Sequence, residues 1–152
     1  MTNWISKFKY NPIKPLIESN NKSVIYFTKE LLEMPVKDIS YIWNLPEVQK
    51  ILKKQEKNGS WSSRTKKYEE YGIKYPLIET WKHLRFLIQQ YNMNKTHSSI
   101  EKASEYIFSC QSPEGDIRGI LANQYAPYYT GAVMYLLIKA GYDDDPRIKK
   151  RI

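Results

Sequence analysis

Two stretches of this chain pair with one another, one carrying a full motif and the other a degenerate copy of it. QKILKKQEKNGSW (49–61) aligns with EYIFSCQSPEGDI (105–117), which sets Gln55 opposite Gln111 and Gly59 opposite Gly115 at a separation of 56 residues. Trp61 falls opposite Ile117, and after each copy a loop runs to a proline, Pro76 or Pro127, placed to open a helix. A period of this size carried by helices marks repeat architecture, in which one helix pair buries its apolar face against the next. The glycine lets a helix stop and the chain reverse. The glutamine amide can bond backbone groups left free at a neighbouring helix end, and a large flat ring can cover that polar junction. Trp61 is therefore expected to be a structural clamp and not a catalyst.

Helical spacing recurs along the rest of the chain, and no period-2 run bounded by turn residues stands out as a strand. Ser23 is expected to cap a helix carrying Val24, Phe27, Leu31 and Leu32 on one face, closed by Pro35 after Met34. Pro46 opens a helix with Val48, Ile51 and Leu52 on one stripe, and Ser98, with Glu101 as a capping-box partner, opens another bearing Ile100, Ala103, Ile107 and Cys110. PYYTGAVMYLLIKA (127–140) is apolar on nearly every side before Gly141 supplies a stop, which predicts a helix buried all round. PLIETWKHLRFLIQQY (76–91) is intermediate, with a wide stripe of Leu77, Trp81, Leu84, Leu87, Ile88 and Tyr91 and with Phe86 outside it. One-sided helices alternating with heavily buried ones suit two layers, inner and outer. The expected fold is all-α and a single domain over 1–152, with an N-terminal helical segment (1–44) ahead of the helix-pair repeats (45–152).

Composition narrows the function classes. With 152 residues the chain is long enough for a real core, and 41% hydrophobic and 14% aromatic content argue against disorder. One cysteine, Cys110, excludes an internal disulfide, and with only His83 and His97 beside it no metal site is expected. No cofactor is implied. Nothing approaches the roughly 20 apolar residues of a membrane span, and MTNWISKFKYNPIKP lacks a signal-peptide core, so the expected location is the cytoplasm. The net charge is +8, and its densest basic stretch, Lys50 to Lys74, could meet nucleic acid or an anionic membrane; a solvated helix face explains it better.

The Gln-x3-Gly-x-Trp motif, complete at 55–61 and degenerate at 111–117, resembles the glutamine-tryptophan motif of squalene cyclases and of the wider prenyltransferase-type α/α toroids. The segment 109–148 is similar to one repeat of small prokaryotic proteins in that superfamily, and the resemblance covers roughly 45–152. It implies an α/α toroid of inner and outer helices. It does not carry an activity across: cyclases of this type use an Asp-x-Asp-Asp motif, whereas this chain has Tyr142-Asp143-Asp144-Asp145 in a turn, where carboxylates are ordinary helix caps. The zinc ligands of the protein prenyltransferases have no counterpart either.

In such toroids the loops leading into inner helices border the central cavity, which makes Asp116, Arg118, Asn123, Gln124, Tyr125, Tyr128 and Tyr129 the candidate pocket. Aromatic rings there could hold an apolar or cationic ligand, and a helix start with Arg118 could receive a diphosphate. The competing reading is an Asp116–Arg118 loop brace with tyrosines packed between helices. Asp145 to Ile152 reads as the start of the next outer helix and stops before another glutamine motif, so the toroid is expected to be incomplete, with an apolar flank open to self-association or a protein partner. The expected function is a non-catalytic helical-repeat scaffold or binding module, which a fragment or remnant of a longer terpenoid cyclase or prenyltransferase-like protein would also supply. The alternative is an isoprenoid-handling enzyme, cyclase or prenyltransferase-like, completed by further repeats.

Overall fold

The computed structural model describes residues 7–62 and 69–150, so Arg64, Lys66 and Lys67 of the basic stretch and Arg151 and Ile152 lie outside the described residues. The chain forms two compact units, Met1–Leu45 and Pro46–Ile152. Among the described residues both are helical apart from one minimal hairpin.

The first unit holds α1 (Ile13–Ile17), α2 (Lys22–Leu31) and α3 (Ser40–Trp43). The cap of α2 is Asn21, not Ser23: its extended backbone lets Oδ1 accept from the amides of Ser23 at 2.9 Å and Val24 at 3.2 Å. Ser23 is instead buried within the first turn, and the buried face runs through Tyr26 and Thr28 while Leu31 lies 78% exposed. The helix ends at Leu31, short of the expected stop after Met34. Glu33 adopts a left-handed backbone, and the Met34 amide bonds back to the Lys29 carbonyl, so the chain has already turned before Pro35.

The second unit begins with α4 (Pro46–Leu52), where proline costs nothing because the first amides of a helix lack intrahelical partners. Then come β1 (Glu69–Glu70), β2 (Ile73–Lys74), α5 (Tyr75–Tyr91), α6 (Ser98–Ser109) and α7 (Pro127–Leu137), the last running into a π-helical turn over Ile138–Tyr142. The antiparallel pair β1–β2 is too short to show a period in sequence; it is set by Tyr71 and Gly72, both at positive φ, as a tight hairpin turn requires. In α5 the residues Leu77, Leu84, Leu87, Ile88 and Tyr91 are buried, Trp81 is half-buried and Phe86 is exposed, and the helix stops at a left-handed Asn92.

Three expectations need correction. The cap of α6 is His97, whose Nδ1 accepts from the Ser99 amide at 3.2 Å, so the Ser98–Glu101 box is not used. The helix itself buries Ile100, Ala103, Ile107 and Phe108, and Cys110 is half-buried at its end. Next, α7 is not buried all round. Thr130, Val133, Met134, Leu136 and Leu137 face inward, while Tyr128 is 78%, Tyr135 54% and Ile138 45% exposed along the opposite side. The apolar character of that side is real, but no described helix of the unit lies over it. Finally, the residues after Asp145 do not continue as a helix among the described residues. They form turns, with the Ile148 amide bonded to the Asp145 carbonyl and Lys149 to Pro146, three residues apart rather than four.

Candidate functional site: the paired glutamine turns and the loop into α7

Each glutamine stands just beyond the end of a helix, α4 or α6, and each turn is bonded in the same order. The Glu56 amide donates to the Ser60 carbonyl at 2.8 Å and Gly59 to Glu56 at 3.0 Å; their counterparts are Ser112 to Asp116 at 2.9 Å and Gly115 to Ser112 at 3.0 Å. The Gln55 Nε2 donates to the Gly59 carbonyl at 2.9 Å and to the Ser99 carbonyl at 2.8 Å. Gln111 repeats this with Gly115 at 2.8 Å and Arg147 at 3.0 Å. One amide group thus closes its own turn and fastens it to a backbone segment far ahead in the chain. The last residue of each motif then docks on the next helix: the Trp61 amide donates to Thr80 Oγ1 at 2.9 Å, and Ile117 to Thr130 Oγ1 at 3.0 Å.

The copies differ in what fills the space. Trp61 is 1% exposed, lies stacked on His83 with centroids 5.3 Å apart, and spends its indole N–H on the Ile51 carbonyl at 2.9 Å. Ile117 is equally buried but brings no polar atom that would need a partner. Gly59 stands so close to α6 that a β-carbon there would lie 2.1 Å from the Lys102 carbonyl oxygen. That approach, together with its left-handed φ of 88°, is what reserves the position for glycine.

The seven residues of the loop cluster divide. Asp116 and Arg118 are brought together: Asp116 is 1% exposed, accepts from the Ser112 hydroxyl, and receives Arg118 Nε on Oδ2 at 2.7 Å. The Arg118 bond is the main reason its carboxyl stays below the ordinary range. Tyr129 is half-buried with its ring edge-to-face on Trp81 at 5.7 Å, and Tyr128 meets Tyr129 at 5.3 Å. Asn123, Gln124 and Tyr125 are exposed. The charged pair of this set therefore braces its own loop, and the tyrosines split between packing and surface.

Residues that sequence reasoning passed over hold the arrangement together. Thr80 and Thr130 follow their prolines by four and three residues, a near-match hidden by the unequal loops before them. Arg147 is a second omission. Its guanidinium forms a two-pronged ion pair with Glu105 at 2.7 and 2.8 Å, holds Asp145 at 2.7 Å, and lies 3.7 Å over the Phe108 ring. Asp145 also accepts the Arg147 amide at 2.9 Å, so this acid shapes a turn. Burial pushes the Cys110 thiol up. Among the described residues no cluster of three or more His, Cys, Asp or Glu could hold a metal ion, and no helix is long and apolar enough to cross a membrane. Comparison with family models, curated proteins and solved structures returns no match.

Proposed function

We propose that this chain is a non-catalytic helical-repeat module on the α/α-toroid plan, acting as a scaffold that presents its surface to a protein partner or to a second copy. One observation carries the reading: at both motifs the polar groups are spent on backbone and side chains of the same protein. The Gln55 and Gln111 amides, the Trp61 and Ile117 amides, and the Asp116–Arg118 and Asp145–Arg147 pairs all have internal partners. A catalytic acid, base or diphosphate clamp needs such groups turned toward a substrate site. Around α7 the surface carries the exposed apolar and aromatic side chains Tyr125, Tyr128, Tyr135 and Ile138, which suits contact with another protein. A single half-buried thiol fits a reducing compartment such as the cytoplasm.

Thermal unfolding in the presence of a long-chain prenyl diphosphate tests the reading, since a ligand that binds only the folded state must raise the transition. The expected result is no rise that depends on Tyr125 and Tyr128. A saturable rise, abolished by substituting Tyr125 and Tyr128, would replace this reading with the isoprenoid-handling one.

A further inference from the structure

Within the first unit, α2 and the chain that follows it enclose a groove of about 430 Å³. Its floor and walls are Ile25, Tyr26, Pro35, Val36 and Tyr41. Three lysines complete the lining: Lys22, Lys29 and Lys37. Lys22, Ile25, Tyr26 and Lys29 recur at the three-, four- and seven-residue spacings that share one face of a helix, so the two ammonium groups bracket an apolar patch. Lys37 reaches in from the other wall with its ammonium 4.4 Å from the centre of the Tyr41 ring. Among the described residues no carboxylate lines the groove and none of the three lysines is held in an ion pair. Glu30 and Asp38 do stand near Tyr26, and after burial they are what raises its hydroxyl pKa; Asp38 is engaged with the Ser40 amide at 2.9 Å.

An apolar trough with positive charge on opposite rims is complementary to an anion carrying an alkyl tail. The volume lies in the range of small-molecule sites, roughly 300–1,000 Å³. It is too small for a partner helix about 10 Å across. We propose that this groove binds a single-chain anionic amphiphile, a long-chain carboxylate, with its tail on Ile25, Tyr26 and Val36 and its headgroup shared by the lysines. The site lies in the first unit and stands independently of the repeat-module reading.

The test is calorimetric titration of the full chain with straight-chain carboxylates of increasing length and with the matching alcohols, all below micelle formation. Affinity should rise about fourfold for each added methylene until the groove is full. An alcohol of equal length should bind about tenfold more weakly than the acid, the order expected of two partly exposed ion pairs, and the triple variant K22Q/K29Q/K37Q should erase that difference. Val36 is 40% exposed, so V36D tests the same point without loading the core, and it should abolish carboxylate binding. Absence of saturable binding, equal affinity for acid and alcohol, or binding only to vesicles of anionic phospholipid would each overturn the proposal.

Discussion

Replacing Gly59 by alanine puts a methyl group 2.1 Å from the Lys102 carbonyl oxygen and 2.5 Å from its carbon. Both partners are backbone-fixed, so no side-chain rotation relieves the overlap; either the turn or α6 must move. The left-handed φ adds about 1–2 kcal/mol for any residue with a β-carbon. Gly141 isolates that second cost, because its φ is 95° while the nearest atoms to an added β-carbon belong to the flexible Lys95 side chain at 3.4 Å. Displacing the turn also strains the Gln55 bond to Ser99, and losing a hydrogen bond while stranding a part-buried carbonyl costs about 1–3 kcal/mol. G59A should therefore lose about 2–5 kcal/mol, against about 1–2 kcal/mol for G141A. Gly131 serves as the opposite control: it lies inside α7 with nothing within 4 Å of an added β-carbon, so G131A should gain about 0.5–1 kcal/mol from helix propensity. Urea unfolding followed by both tryptophan fluorescence and circular dichroism measures all three. If G59A and G141A agree within about 0.5 kcal/mol, the margin within which independent sites usually add, the close packing of the turn on α6 does not carry the energy assigned to it.

The two copies of the motif should respond alike to losing the amide: Q55L and Q111L should each destabilise by about 1–3 kcal/mol in the same urea assay, and a near-neutral Q111L would mean the second copy is vestigial. His97 is held below its ordinary pKa of 6.5 by burial. A depressed folded value means its contribution is fully present above pH 6.5 and is lost as pH falls through the folded value. H97N keeps a side-chain cap for α6 and should therefore flatten the stability profile between about pH 7 and 5; an unchanged slope would refute this role. Arg147 bonds lower the carboxyls of Glu105 and Asp145, which ordinarily titrate at 4.5 and 3.8. The stability difference between the natural protein and R147Q should be widest at neutral pH and should narrow as pH falls below about 4.5. A difference that grows in acid would contradict the ion-pair account.

Helix content and the motif were open to reading in the sequence, because stripes such as Leu77, Leu84, Leu87 and Ile88 and the prolines at 46, 76 and 127 act locally. Caps were misplaced by one or two residues where a less usual residue did the work. His97 caps α6 through a ring nitrogen, and Asn21 outcompetes Ser23 because its extended backbone puts the acceptor over two amides at once. The character of α7 was misjudged for a different reason. Composition reports how apolar a helix is, but whether Tyr128 and Tyr135 are covered depends on what stands beside them. The loop cluster contained a genuine pair, Asp116 and Arg118, only two residues apart. The Arg147 clamp joins Glu105 to a residue 42 positions away, and no local pattern announces such a pairing.

Both glutamine turns reach toward backbone that follows them in the chain. During synthesis Gln55 appears 44 residues before Ser99, and Gln111 appears 36 residues before Arg147. At roughly 5–20 residues per second, the first turn waits about 2–9 s for its distant carbonyl. In that interval it has its local bonds to hold its shape, from Gln55 to Gly59, from Glu56 to Ser60 and from Gly59 to Glu56. The nascent chain thus carries a preformed hook whose catch has not yet been made, and the order of translation sets the order in which the helix pairs can lock.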